Sequence, residues 1–100
     1  DELKERLDQN EDFLLLDVRT AADYNGEQSH IDGSKLIPVE QLSERIKEID
    51  DYIEKPVITI CRTDVKSSKA AQILAQHGFA DVHVVKMGMT DWIARGYPVK

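Results

Sequence analysis

The sequence predicts an α/β fold, a largely parallel sheet of four to five strands with helices on both faces. Two observations carry this. Continuous apolar runs such as Phe13-Leu14-Leu15-Leu16 and Val57-Ile58-Thr59-Ile60 suit strands buried on both sides. Between such runs, apolar residues recur at helical spacing, so strand and helix alternate in short steps. One hundred residues hold a single packed core and are too few for two, so residues 1–100 are expected to form one domain.

Leu3 and Leu7, four apart among charges, predict a short amphipathic first helix. The run from Phe13 turns polar at Asp17-Val18-Arg19 and gives the first strand. Residues 20–33 contain Asn25, Gly26, Ser29 and Gly33, which predicts a long connection with about one helical turn. Lys35-Leu36-Ile37-Pro38 gives a short strand closed by proline. From Gln41 to Ile53, residues Leu42, Ile46, Ile49 and Ile53 share one helical face. Charged residues around them, through 55, form a wet surface. Val57–Ile60 is the next strand. Ser67–His77 is predicted as a helix with Ala70, Ala71, Leu74 and Ala75 inward, ended by Gly78. Val82–Val85 is a strand, and Thr90–Arg95 a last short helix before Gly96 and Pro98.

Composition narrows the function. A 41% hydrophobic, 32% charged chain is an ordinary folded domain rather than a disordered one. A net charge of −6 argues against nucleic acid or an anionic membrane surface as partner. No apolar stretch approaches the roughly 20 residues of a membrane-spanning helix, and none reads as a signal peptide. A single cysteine makes no internal disulfide, so a reducing, cytoplasmic setting is expected. The chain opens on Asp1 rather than Met, which suggests a domain excised from a longer polypeptide.

That cysteine, Cys61, ends an apolar run and opens a polar one, Arg62-Thr63-Asp64-Val65-Lys66, before Ser67 and Ser68, which are available as helix caps. In parallel α/β sheets, ligands bind beyond the carboxyl ends of the strands, where Cys61, Asp17 and Arg19 all fall. A tight loop at a helix start can aim backbone N–H groups at the sulfur and favour a thiolate, with Arg62 and Lys66 adding positive charge. A free cysteine is also commonly a small core hydrophobe. The residues alone leave both readings open.

Several motifs in order add to this. Leu15-Leu16-Asp17-Val18-Arg19 resembles the Asp-Val-Arg strand of the rhodanese (sulfurtransferase) family. Asp23-Tyr24, His30-Ile31-Asp32-Gly33-Ser34 and Ile37-Pro38 resemble its Glu-Tyr, Gly-His-Ile-Pro-Gly-Ala and Ile-Pro stretch. Cys61 to Ser67 contains a stretch, Cys61 to Lys66, that is similar to its six-residue active-site loop. The ending Val84-Val85-Lys86-Met87-Gly88-Met89, Trp92 and Gly96-Tyr97-Pro98-Val99 resembles the family's Gly-Gly, Trp and Gly-Pro-Val pattern. Together they cover nearly the whole chain. The resemblance implies a rhodanese-like three-layer fold and a persulfide mechanism with no cofactor or metal. Cys61 would take a sulfane sulfur from thiosulfate or a persulfide and pass it to cyanide or a thiol. Residues Arg62, Thr63, Asp64, Val65, Lys66 and Ser67 would bind substrate. The implied partners are a small sulfur donor or protein persulfide and a thiol acceptor.

The chain departs from the family pattern at four places. Asp64 stands where glycine is usual, and its carboxylate opposes anions at the loop. Lys66 replaces a frequent arginine and supplies charge without a bidentate fork. Ser29 and Met87 replace glycines. Weak thiosulfate activity, with a persulfide as the better donor, is therefore expected.

Asp17 and Arg19 read best as a structural ion pair and hydrogen-bond staple tying the strand end to a neighbouring loop, with substrate contact by Arg19 the lesser role. His30, His77 and His83 lack metal-ligand spacing. Trp92, Ile93 and Met89 read as core. Lys86 reads as either a solvated lysine or part of an anion patch. A rhodanese-like module that binds a partner or senses redox state without turnover is the alternative function. A phosphatase or arsenate reductase would need a loop one residue longer, ending in arginine.

Overall fold

In a computed structural model, which describes residues 2–9, 12–26, 29–62, 65–85 and 88–99, strands and helices alternate along the chain. Among the described residues, β1 (Leu14–Asp17), β2 (Lys35–Leu36), β3 (Pro56–Ile60) and β4 (Asp81–Val84) form one sheet in the order β2-β1-β3-β4, with every pair parallel. Helix α1 (Glu2–Asp8) precedes β1 and α4 (Gly88–Ala94) follows β4, while the connections carry α2 (Ala21–Tyr24), 3-10 segments at Val39–Gln41 and Ile46–Tyr52, and α3 (Val65–Gln76). No described helix is long and apolar enough to cross a membrane.

The two-residue alternation of the strands builds a core on each face of the sheet. Leu14, Leu16 and Val18 with Val57 and Cys61 pack against Ala70 and Leu74 of α3, and against Val39 and Ile49 of the 3-10 segments and Leu42 between them. Leu15, Ile58 and Ile60 point the other way and pack with Leu3 of α1 and with Met89 and Trp92 of α4. Strands covered on both sides explain why their sequences are continuously apolar rather than alternating. Full burial of side chains such as Leu16, Ile60 and Leu74 stabilises the fold by roughly 1.5–3 kcal/mol each.

Register is what positions the site. Asp17 pairs with Ile60, so β1 and β3 end level with each other. The Val18 N–H donates to the Ile60 carbonyl at 3.0 Å, extending the ladder one step. Arg19 and Cys61 thus leave neighbouring strands side by side.

Two expectations are corrected. The single helix expected from Gln41 to Ile53 is instead a pair of 3-10 segments with a turn at residues 42–44 between them. Three β-branched isoleucines and Asp50-Asp51 give this stretch little intrinsic helix preference, so burial decides its path. The tighter winding keeps Leu42 and Ile49 buried and turns Ile53 outward, to 38% exposure. The helix expected from Ser67 begins at Val65, which places Lys66 and Ser67 inside its first turn rather than before it. Its far end behaves as expected. Gly78 has φ +89°, Phe79 N–H reaches the Leu74 carbonyl and Gly78 N–H the Ala75 carbonyl, both at 3.1 Å, a Schellman closure.

Candidate active site

Cys61 is the residue immediately after β3, on the α3 side of the sheet. Only 3% of it is exposed. The polypeptide around it is clamped from the opposite side by α4. Met89 N–H donates to the Cys61 carbonyl at 2.8 Å and Thr90 N–H to the Arg62 carbonyl at 3.0 Å. These amides belong to the first turn of α4 and would otherwise lack partners. In a trans peptide the carbonyl and the following N–H point in opposite directions. The Arg62 N–H is therefore directed away from the Met89 amide of α4.

The first turn of α3 meets the sulfur. Ser67 N–H donates to Cys61 Sγ at 3.4 Å, and Sγ lies 3.4 Å from Ser67 Oγ. Ser67 is fully buried. As a thiol, Cys61 donates to the hydroxyl; as a thiolate it accepts from both the hydroxyl and the amide. The Ser67 N–H is one of the donors left unpaired by the start of any helix, so a negative sulfur gains a hydrogen bond and the favourable end of the α3 dipole together. Ser67 is thus not the cap that its position suggested but a direct sulfur ligand. Thr59, two residues before Cys61, fixes this turn: its Oγ1 lies 3.0 Å from the Ser67 carbonyl and 3.3 Å from the His83 carbonyl.

Above the sulfur opens a cleft of about 240 Å³, lined by Arg19, Asp23, Cys61, Arg62, Val65 and Lys66. The structure therefore brings together Cys61, Arg62, Val65, Lys66 and Arg19, with Ser67 touching the sulfur from beneath. Thr63 and Asp64 lie outside the described residues, as do Lys86 and Met87. Asp17 does not reach the cleft; it stands behind Arg19.

The Asp17–Arg19 pair is the staple that the strand end suggested. Arg19 Nη2 and Nε donate to the Asp17 carboxylate at 2.7 and 3.0 Å, and the Arg19 N–H adds a third bond at 3.1 Å. Both side chains are almost fully buried. From there the guanidinium reaches across the loop after β1, donating to the Ser29 carbonyl at 2.6 Å and the Asp23 carbonyl at 3.4 Å. Ser29, at a position where the resembled pattern has glycine, has φ +53°. This left-handed geometry is costly for a residue with a Cβ, and the Arg19 bond to its carbonyl helps hold it. Tyr24 and His30 brace the same loop, with rings stacked at 3.7 Å and His30 Nδ1 2.9 Å from the Tyr24 carbonyl. Met89 and Trp92 are buried as expected, while Ile93 is 37% exposed.

Two residues of the site escaped the sequence reading. Thr59 carried a usable signal, since a hydroxyl in an otherwise apolar buried strand must find partners nearby. Asp23 entered the sequence reading only within the Asp23-Tyr24 resemblance and was given no role at the thiol, because an aspartate in a polar connection looks like any solvated residue until the loop is folded over the thiol.

With this geometry in view, comparisons with known proteins agree on one family. The sequence model described as "Rhodanese-like domain" matches residues 1–95. The chain is 37% identical over 78 residues to the uncharacterized protein YqhL of Bacillus subtilis, covering 78% of this chain and 59% of that one. It therefore spans about three-fifths of that relative's length. It is 34% identical to a protein named thiosulfate sulfurtransferase GlpE in Actinobacillus pleuropneumoniae, over 92% of this chain and 82% of the other. Among solved structures, the rhodanese-like domain of the Anabaena protein Alr3790 superposes with a TM-score of 0.84 at 33% identity, covering 97% of this chain and 72% of that one. The chain belongs to the rhodanese-like domain family.

Proposed function

We propose that this chain is a sulfurtransferase that carries a sulfane sulfur on Cys61. The observation that supports this most directly is Sγ in a cleft lined by Arg19, Arg62 and Lys66 as well as Asp23, with the N–H and hydroxyl of Ser67 in contact with it. In the first half-reaction the Cys61 thiolate attacks the outer sulfur of a donor. A Cys61–S bond forms, the donor's S–S bond breaks, and its electron pair leaves with sulfite when the donor is thiosulfate or with a thiolate when it is a persulfide. In the second half-reaction cyanide or a thiolate attacks the terminal sulfur of Cys61–S–S⁻ and the Cys61 thiolate departs. No net oxidant or reductant is consumed.

The residues supply what these steps need. Ser67 N–H and O–H stabilise the sulfur anion as the thiolate attacks and as it leaves, an oxyanion-hole role transferred to sulfur. Arg62 and Lys66 attract an anionic donor against the chain's net charge of −6. Thr63 and Asp64 complete the substrate-binding loop in this reading. Arg19 forms part of the cleft wall while tied to Asp17, so it shapes the site more than it adds free charge. The donor is a small sulfur compound or a protein persulfide and the acceptor a thiol or cyanide, and a reducing compartment suits the lone thiol.

Thiocyanate formation from cyanide tests the reading, with thiosulfate and a persulfide each supplied as donor. Turnover is expected with the native chain and none with Cys61→Ala. Equal thiocyanate output from both proteins would overturn the assignment. The 3% exposure of Cys61 favours a second reading, a binding or redox-sensing module without turnover. That reading gains if the native chain shows no turnover with any donor.

A further inference from the structure

The cleft above Cys61 carries charges of both signs, on walls that come from different strands. Arg62 and Lys66 approach from the loop and first turn after β3. Asp23 approaches from α2, which follows β1. Because β1 and β3 are parallel neighbours ending in register, these two connections face each other across the thiol. Arg19, the remaining cation, is neutralised by Asp17 behind it. Asp23 is exposed, its N–H bonded to Thr20 Oγ1 and its carbonyl to Arg19, so the backbone of this residue is fixed by contacts that its carboxylate does not make.

A dianion such as thiosulfate gains from Arg62 and Lys66 but is opposed by Asp23. A donor with an ammonium group on one side and a carboxylate on the other meets a complementary charge at each wall. The volume supports the same class of ligand. About 240 Å³ is below the roughly 300–1,000 Å³ of pockets for drug-sized ligands, and fits a molecule of amino-acid size.

We propose that the preferred sulfur donor of this site is a zwitterionic, amino-acid-like persulfide, and that Asp23 is the residue that selects it. This rests on the sulfurtransferase reading of Cys61. The ammonium group of the donor lies toward Asp23 and its carboxylate toward Arg62 and Lys66, which leaves the persulfide chain directed at Sγ. The Cys61 thiolate attacks the outer sulfur of R–S–SH. The Cys61–S bond forms, the donor's S–S bond breaks, and the departing RS⁻ takes up the proton released as Cys61–S–SH becomes Cys61–S–S⁻. The products are a zwitterionic thiol, RSH, and the loaded protein.

The test compares Asp23→Asn with the native chain, using thiosulfate, cysteine persulfide and the persulfide of 3-mercaptopropionate, which lacks the ammonium group. Asparagine keeps the size of the side chain and leaves the backbone bonds in place. Sulfur on Cys61 is followed by intact mass, and kcat/KM for each donor is measured with cyanide as acceptor. The variant should lose about fivefold or more with cysteine persulfide, mainly in KM, and gain severalfold with thiosulfate. With the mercaptopropionate donor it should hold or gain. Such opposed changes do not arise from a loop that is merely loosened, which would lower all three together. Sulfur loading by every donor with unchanged ratios, or with losses in parallel, would overturn the role of Asp23 and leave Cys61 as carrier. Absence of sulfur on Cys61 with all three donors would overturn both.

Discussion

Replacing Arg19 with methionine removes a cation from one of the most buried places in the molecule. The guanidinium is 2% exposed and makes two side-chain bonds to Asp17 at 3.0 Å or less, besides those to the Ser29 and Asp23 carbonyls. Methionine fills similar space but leaves the Asp17 carboxylate buried with the Arg19 N–H as the remaining donor from that partner. Breaking one half of a buried ion pair costs about 3–5 kcal/mol. Domains of this size are stable by about 5–15 kcal/mol, so the loss is a large share of the total. At about 4–8 °C per kcal/mol, the melting temperature should fall by about 12 °C or more. Urea unfolding followed by the fluorescence of Trp92, the only tryptophan and a buried one, reads this directly. The double variant Asp17→Leu, Arg19→Met should recover part of the loss, because no unpaired charge remains. Recovery stays incomplete, since the Ser29 and Asp23 carbonyls still lack their donor. A single-variant loss below about 1 kcal/mol would refute the reasoning, because it is the value of a solvated surface pair.

Other predictions test separate parts of the account. Ser67→Ala keeps the backbone N–H on the sulfur and removes the hydroxyl, a charge-assisted bond of about 1.5 kcal/mol or more when the sulfur is an anion. Alkylation of Cys61 by iodoacetamide at pH 7 should slow severalfold, because the loss of thiolate is partly offset by the greater nucleophilicity of a less stabilised thiolate; an unchanged rate would remove the Ser67 hydroxyl from the site. Ser29→Gly relieves a positive φ costing about 1–2 kcal/mol against about 0.5–1 kcal/mol of glycine entropy. A gain of about 0.5–1 kcal/mol in urea unfolding is expected, and a loss would contradict it. On the surface, the hydrogen bond from Arg45 holds the Glu48 carboxyl below its ordinary 4.5, helped by the charges of Arg45 and Lys35. The stability from this pair is present above that value and is lost as pH falls through the lower folded-state value. Glu48→Gln should therefore lower the urea midpoint slightly at pH 6 and not at pH 2; the same difference at both would disprove the linkage.

Much of this arrangement is legible in the sequence because it follows from local chemistry. Strands covered on both faces demand continuous apolar runs, which locates β1 and β3 and fixes Cys61 at a carboxyl end. A charged pair two residues apart at the end of such a strand has little choice but to close on itself, and Asp17 and Arg19 do. What escapes the sequence depends on long-range packing. Leu42, Ile46, Ile49 and Ile53 satisfy helical spacing, yet the core takes only Leu42 and Ile49 fully, and the winding tightens to suit. Ser67 has the composition of a cap, but the thiol six residues earlier claims its amide. Asp23 acquires meaning only when parallel pairing of β1 with β3 sets its loop opposite Arg62 and Lys66.

Intact-mass measurement of the protein after exposure to a persulfide donor, with the modified peptide located by proteolysis, addresses the nucleophile itself. Cys61 should gain the mass of one sulfur atom and lose it on addition of cyanide, with thiocyanate appearing in equal amount. Protein that keeps its original mass, or carries the added sulfur without ever yielding it to an acceptor, would contradict the account.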